Sequence, residues 1–147
     1  DLAAGFFEEI CRMGEGGGSV CMQKVSYNLE RAFLIGYAME FGVIVGNSSL
    51  KEPRAEYIQS LNQNTGLDFK GFLERGYTSV RPEYRGMGIG TRLLEGLTKQ
   101  TQGRKLYSII TEDNPATQKI AIRNKTRKLT TFFSQKTGKK VGVWVKD

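Results

Sequence analysis

A short turn rich in glycine constrains this chain more than any other segment. The turn, Arg85–Gly90, reads Arg-Gly-Met-Gly-Ile-Gly and follows an apolar stretch that Arg81-Pro82 ends, since proline cannot donate to a strand ladder. Leucines at helical spacing, at positions 93, 94 and 97, come directly after it. A strand, a glycine turn and a helix in this order bring free backbone N–H groups close to an anion. The segment therefore predicts a phosphate-binding turn.

Strands dominate the chain before this turn. The apolar runs Ala32–Glu40, Val43–Leu50 and Leu67–Val80 predict three strands, and Phe41-Gly42 predicts a hairpin turn between the first two. Gly71 and Gly76 suggest a bulge or bend in the third strand. Helical spacing predicts an amphipathic helix over residues 2–13 and a short helix over 54–62, and residues 19–25 could form a short strand.

Strands and helices alternate after the turn. We expect a helix up to about Thr101, a strand over residues 105–111, and a last strand over 141–145. Between these strands, Asn114-Pro115 has the form of an N-cap and first helical residue, and predicts a long basic helix that runs to about Gln135 and ends at Thr137-Gly138. The fold class is therefore α/β (α+β), in a single domain over residues 1–147.

Composition excludes several kinds of chemistry. The chain has no histidine, which excludes a Ser-His-Asp triad, a Cys-His pair and a histidine-ligated zinc. Cys11 and Cys21 are too few for a four-cysteine zinc site, and we interpret them as reduced thiols, so no metal is expected. No apolar run approaches the roughly 20 residues that span a bilayer. We therefore expect a cytoplasmic protein with no membrane partner.

Positive charge is concentrated in the last third of the chain. The formal net charge is +7, and residues 99–147 hold 12 basic and 3 acidic side chains. Five of the basic residues fall in the predicted long helix, namely Lys119, Arg123, Lys125, Arg127 and Lys128. A solvated helix face, contact with an anionic coenzyme and contact with nucleic acid all remain open. Because no nucleic-acid-binding motif accompanies these residues, we do not expect nucleic acid as the main partner.

Three phosphate-binding motifs can be compared with the turn. A Walker A loop would end in Gly-Lys-Ser/Thr, whereas Gly90 is followed by Thr91-Arg92. The dinucleotide fingerprint would need a third glycine where Thr91 stands. The run Val80–Leu94, with its Val-x-Pro-x-x-Arg-Gly-x-Gly pattern, resembles the acetyl-CoA-binding motif of the GNAT acetyltransferase superfamily. The resemblance extends over Phe33–Asn114, with residues 51–66 as an insertion. It implies a twisted, mostly antiparallel sheet with a splayed central strand pair and flanking helices.

The resemblance also implies which residues hold acetyl-CoA as cosubstrate. Backbone amides of the turn and the first helical residues would hold the pyrophosphate, at Arg85, Gly86, Met87, Gly88, Ile89, Gly90, Thr91 and Arg92. The exposed backbone of the strand before the turn would pair with the pantetheine arm, at Ser79, Val80 and Pro82. Thr111 and Asn114 would line the other side.

The activity implied by the resemblance is transfer of acetyl from acetyl-CoA to a primary amine, by direct attack in a ternary complex. Some family members place a glutamate on the fourth strand, eleven residues before the position of Arg85, and that residue here is Glu74. We expect Glu74 to lie mid-strand among apolar residues as the general base, and the N–H near Val80 to stabilise the oxyanion. Glu74 could instead be solvated, or paired with Arg75. Glu40 and Glu112 are reserve bases.

One family feature has no clear counterpart. Members commonly carry Leu-Tyr-x-x-x-Gly-Phe, whose tyrosine protonates the leaving thiolate, and the nearest match places Ser134 at that position. Tyr107 or Tyr84 could substitute, or the thiolate could leave without an acid. Alternative functions are a non-catalytic coenzyme-A-binding or regulatory module of the same fold and, ranked lower, a basic nucleic-acid-binding domain. The acceptor could be a small molecule or a peptide, and a homodimer remains open.

Overall fold

The computed structural model of the protein describes residues 32–146, so the helix predicted over 2–13 and the strand over 19–25 lie outside the described residues. Six strands of the described part form one sheet in the order β1-β2-β3-β4-β6-β5. The elements are β1 (Ala32–Glu40), β2 (Val43–Lys51), α1 (Ala55–Thr65), β3 (Leu73–Val80), a 3-10 turn (Pro82–Tyr84), α2 (Ile89–Lys99), β4 (Leu106–Thr111), α3 (Pro115–Arg123), β5 (Arg127–Ser134) and β6 (Lys139–Lys146).

The hairpin predicted at the start of the described chain is confirmed. β1 and β2 pair antiparallel, with Glu40 opposite Val43 at the end of the ladder. The two turn residues, Phe41 and Gly42, both have positive φ, at 51° and 76°. Two left-handed residues in a row match the twist of the flanking strands, which is why this turn closes a two-residue hairpin.

The central strand pair is splayed, as the family resemblance implies. β3 and β4 are parallel, and their register contains only the pairs Leu73–Leu106 and Glu74–Tyr107. Beyond these pairs β3 continues along β2, and β4 continues along β6. A gap, here called the cleft, therefore opens between residues 75–80 of β3 and residues 108–111 of β4.

A β-bulge distorts β3 beside the cleft. Asn47 of β2 pairs with Ser79, but Ser49 pairs with Gly76, so three steps along β3 face two along β2. The Gly76 carbonyl accepts hydrogen bonds from the hydroxyls of Ser49, at 3.1 Å, and Ser48, at 3.4 Å. The bulge takes this carbonyl out of the regular backbone ladder, and the two hydroxyls supply hydrogen bonds to it instead. The bulge predicted at the strand glycines is thus present at Gly76.

Helices cover both faces of the sheet. On the α1 face, Leu61 of α1 packs in a cluster with Phe69, Tyr107, Val143 and Val145. On the α2 face, a second cluster contains Leu50, Leu73, Leu97 and Leu106. Leu106 and Tyr107 are consecutive, so their side chains point to opposite faces and fix these two layers. α3 also lies on the α2 face, where its Ala121 packs against Ile110 and Trp144.

Two predicted elements have the wrong extent. The strand expected over Leu67–Val80 begins only at Leu73, because the preceding residues form a loop in which Gly71 has a φ of 84°. The helix expected from Pro115 to about Gln135 ends at Arg123, and residues 127–134 form β5. Thr137-Gly138 therefore lies in the turn of the β5–β6 hairpin. The five basic residues assigned to one helix are divided between α3, a turn and a strand.

Candidate active site

The glycine-rich turn forms an open helix N-terminus. Gly86 and Gly88 have φ of 80° and 81°, a conformation that glycine adopts without strain. The first hydrogen bond of α2 runs from the Arg92 N–H to the Gly88 carbonyl, at 3.0 Å. The N–H groups of the residues between them therefore point out of the helix end, and the helix dipole adds positive potential there. This end of α2 has the geometry and charge to hold an anion.

Two other glycines allow α2 to lie close to the sheet. A Cβ on Gly46 of β2 would lie 3.0 Å from Cγ2 of Ile89 and 3.2 Å from the Ser79 carbonyl oxygen. A Cβ on Gly90 would meet Val80 at 3.6 Å and Ile120 of α3 at 3.9 Å. The N-terminus of α2 thus lies at the open end of the cleft, between the end of β3 and α3.

The backbone polar groups of Val80, at the end of β3, point into the cleft. The Arg81 N–H donates to the Val45 carbonyl at 2.8 Å. Gly46 and Val80 therefore form a non-hydrogen-bonded pair, so the N–H and C=O of Val80 point away from β2 and towards the gap beside β4. The Val80 carbonyl accepts a hydrogen bond from Nε of Arg85, at 3.0 Å. The N–H of Val80 faces the cleft.

The remaining candidate coenzyme residues frame the open end of the cleft. Ser79 is buried on β3, whereas Pro82 and Met87 are exposed in the segment between β3 and α2. Across the cleft, Thr111 ends β4 and Asn114 caps α3, its side-chain oxygen accepting the Thr117 N–H at 3.2 Å. The predicted N-cap is thereby confirmed.

Glu74 lies at the closed end of the cleft, on the α1 face. It is the second residue of β3, so the expectation of a mid-strand position is wrong. Its side chain is 15% exposed, the Tyr107 hydroxyl donates to its Oε2 at 2.7 Å, and Nζ of Lys51 lies 3.5 Å from its Oε1. The carboxylate therefore faces one hydrogen-bond donor and one positive charge. Burial, and then the charge of Glu74, raise the pKa of Tyr107 far above its usual value.

The alternative pairing of Glu74 with Arg75 is wrong. The two residues are adjacent in β3 and therefore point to opposite faces. The Arg75 guanidinium bonds Ser108 and Thr98 on the α2 face instead.

The two reserve bases are also engaged by neighbouring side chains. Nζ of Lys128 donates to both carboxylate oxygens of Glu112, at 3.1 Å each. A hydrogen bond with Glu40 is the largest cause that raises the pKa of Tyr84. Glu74 is the member of the three that lies where the cleft closes.

The position of the family tyrosine must be moved. Ser134 lies on β5, not on a helix, so the match at Phe132–Gly138 does not correspond to the family motif. After α3, Lys125 has a φ of 61°, the left-handed conformation expected of the glycine in that motif. Counting back four residues gives Ala121, which is fully buried and carries no ionisable group. The distance from Asn114 could have located the tyrosine position from the sequence. Because Lys125 replaces the glycine of the motif, however, the sequence does not show where the helix ends.

Comparison with known proteins identifies the class. The family model described as acetyltransferase (GNAT) family matches residues 26–123, about two thirds of the chain. None of the curated protein sequences compared with the chain matches it. The chain belongs to the GNAT acetyltransferase family.

Solved structures of this family share the fold. A Bordetella pertussis protein assigned to the family is 15% identical, with a TM-score of 0.70 over 98% of this chain and 88% of its own. An N-acetyltransferase from Staphylococcus aureus is 20% identical, with a TM-score of 0.58 over 77% of this chain. Arabidopsis thaliana NAA60, solved in complex with acetyl-CoA, is 18% identical, with a TM-score of 0.54 over 71% of this chain. The chain spans 66% of the length of each of the last two.

Residues 32–146 lack two features. No helix in that range is long and apolar enough to cross a bilayer. The same residues contain no group of three or more potential metal-ligating side chains among His, Cys, Asp and Glu.

Proposed function

We propose that the protein transfers an acetyl group from acetyl-CoA to a primary amine. The observation that carries the proposal is the cleft between β3 and β4, which opens beside the N-terminus of α2. An open strand edge next to an anion-binding helix end suits a coenzyme with a hydrogen-bonding arm and a pyrophosphate. Acetyl-CoA is bound by a related structure, Arabidopsis NAA60, which supports the choice of donor.

The coenzyme residues proposed are those of the open end. The N–H groups of Gly86–Thr91 would hold the pyrophosphate, and the helix dipole would favour its charge. The N–H groups of Arg85 and Arg92, also expected to bind it, already donate to the Pro82 and Gly88 carbonyls. The Val80 backbone would bind the pantetheine arm through its N–H, with Ser79 and Pro82 beside it. The Ser79 N–H and C=O themselves point to β2. Thr111 and Asn114 would line the opposite wall.

The acceptor amine would reach the thioester at the closed end, beside Glu74. The amine nitrogen forms a bond to the carbonyl carbon, the carbon–sulfur bond breaks, and the thiolate leaves with the electron pair. Glu74 takes the amine proton, directly or through one water molecule. A Cβ on Gly76 would meet only the Glu74 Oε1, at 3.6 Å, so the absence of a side chain there leaves room over the carboxylate.

Distance along β3 changes the assignment of the oxyanion donor. Six residue steps separate Glu74 from Val80, roughly 20 Å in an extended strand and about 3 Å less with the bulge. One reacting carbon cannot lie next to both groups. The bulge between Gly76 and Ser79 takes backbone groups out of the ladder nearer to Glu74, and we assign the oxyanion role to an N–H of this bulged segment. Val80 then serves the pantetheine arm alone.

Binding and turnover test the proposal separately. Isothermal titration calorimetry should show acetyl-CoA binding at micromolar concentration, and a thiol reagent should detect coenzyme A release with a panel of amines. The Glu74→Gln variant should bind acetyl-CoA normally but lose about 10²–10⁴-fold in kcat, the range for a general base. Glu95→Gln is the matched control, because Glu95 is exposed on α2 and pairs, within residues 32–146, with Lys99 alone. Unchanged turnover in Glu74→Gln would remove Glu74 from the base role.

A second function is favoured by one observation. Ala121 stands at the position of the family tyrosine, so no acid is available there for the leaving thiolate. This favours a coenzyme-A-binding module without catalysis. Acetyl-CoA binding without coenzyme A release, for every amine in the panel, would select that function over the enzyme.

A further inference from the structure

Side chains join β3 and β4 on both faces of the sheet where their backbone pairing ends. On the α1 face, the Tyr107 hydroxyl donates to Glu74. On the α2 face, Nε of Arg75 donates to Oγ of Ser108, at 3.1 Å. The first contact joins the last backbone-paired residues, Glu74 and Tyr107, and the second joins the residues that follow them, Arg75 and Ser108. Together the two contacts close the cleft. We call them the two apex bridges.

The Arg75 bridge contains a buried charge. Arg75 is 4% exposed, and its Nη1 donates to Oγ1 of Thr98, at 2.6 Å, which in turn donates to the Leu94 carbonyl. No acidic side chain among residues 32–146 pairs with it. Burial lowers the pKa of Arg75 to about 10, which leaves the guanidinium charged at neutral pH. A buried cation held by hydroxyl groups alone is costly unless every contact is kept.

We infer that the Arg75, Ser108 and Thr98 network is a positioning element that fixes the closed end of the cleft and thereby limits the donor to a short acyl group. The inference rests on the proposed function, in which the pantetheine arm enters beside Val80 and runs towards Glu74. The acyl group then lies against the apex bridges. A longer chain must displace one of them, and opening the Arg75 bridge would leave Nε of the buried guanidinium without its hydrogen-bond partner.

Acyl selectivity tests this inference. Ser108→Ala and Thr98→Val each remove one hydroxyl partner of Arg75 without adding volume. For each variant, kcat/KM is measured with acetyl-, propionyl- and butyryl-CoA. We expect the propionyl-to-acetyl ratio to rise about tenfold, the low end of what a pocket discriminates for one methylene, and the butyryl-to-acetyl ratio to rise at least as much. Thr126→Val is the matched control, because Thr126 is similarly buried and its hydroxyl donates to the Ala121 carbonyl, at 2.7 Å, away from Arg75.

Each outcome decides a different question. The inference is overturned if the variants keep the wild-type ratio of kcat/KM between acyl donors, including the case in which kcat/KM falls equally with all three. The network would then have a purely structural role. If Ser108→Ala does not fold, Arg75→Met removes the charge together with the bridge, and Arg75→Lys should return the ratio towards the wild-type value. Absence of acetyl-CoA binding by the wild-type protein contradicts the proposed function itself, before any variant is compared.

Discussion

The buried phenol of Tyr107 makes the free energy of unfolding depend on alkaline pH. Because its folded pKa is raised, its stabilising contribution is complete below the unfolded value of about 10 and is lost as pH rises beyond it. Relative to Tyr107→Phe, the wild-type protein should lose about 1.4 kcal/mol per pH unit above pH 10. Urea unfolding of both proteins between pH 9 and 11.5 measures this difference. Both proteins contain Tyr57, so its titration contributes to both curves and does not account for a difference between them. Parallel curves would contradict the prediction.

The resemblance to other family members located Glu74 but not its surroundings. The eleven-residue interval to Arg85 is local information, and the residue it selects does lie at the closed end of the cleft. Its partners come from far along the chain, Tyr107 through the β3–β4 register and Lys51 through the β2–β3 register. A single sequence does not reveal those registers, so neither contact could be predicted.

Two glycine-to-alanine variants test how closely α2 packs against the sheet. Gly46→Ala would place a methyl group 3.0 Å from Ile89 and 3.2 Å from the Ser79 carbonyl, so we expect a loss of about 1–3 kcal/mol in the free energy of unfolding. Gly96→Ala, on the exposed side of the same helix, meets nothing within 4 Å and should gain about 0.5–1 kcal/mol through a less flexible unfolded chain. Urea denaturation of both variants checks the pair. Equal effects would contradict the close contact at Gly46.

Elements defined by local signals were predicted well, and those that depend on distant contacts were not. The β1–β2 hairpin and the cap at Asn114 depend on residues next to each other, and both are present. The end of α3 depends on Lys125, a non-glycine residue in a left-handed conformation, which the sequence gives no reason to expect. The threonines and phenylalanines of Arg127–Ser134 favour a strand, but the basic residues before them suggested a helix.

The net charge of +7 should act on small anions more than on nucleic acid. Part of the basic excess is neutralised locally, since Lys128 pairs with Glu112 and Lys139 with Asp113. Raising the salt concentration from 50 to 300 mM should weaken acetyl-CoA binding several-fold through screening, but should abolish binding of double-stranded DNA. Calorimetry and a DNA mobility shift at both concentrations measure this. DNA binding that persists at the higher concentration would support the nucleic-acid-binding alternative.

The two-residue contact between β3 and β4 divides the molecule along its sequence as well as along its sheet. In the described part of the chain, residues 32–99 supply the three strands on one side of the contact and residues 106–146 supply the three on the other, while α1 of the first stretch packs on Tyr107, Val143 and Val145 of the second. Each side is one continuous stretch of chain, and the connection at 100–105 crosses once. A polypeptide cut in that connection could therefore reassemble from two separately made fragments, and the recovered activity would report their association.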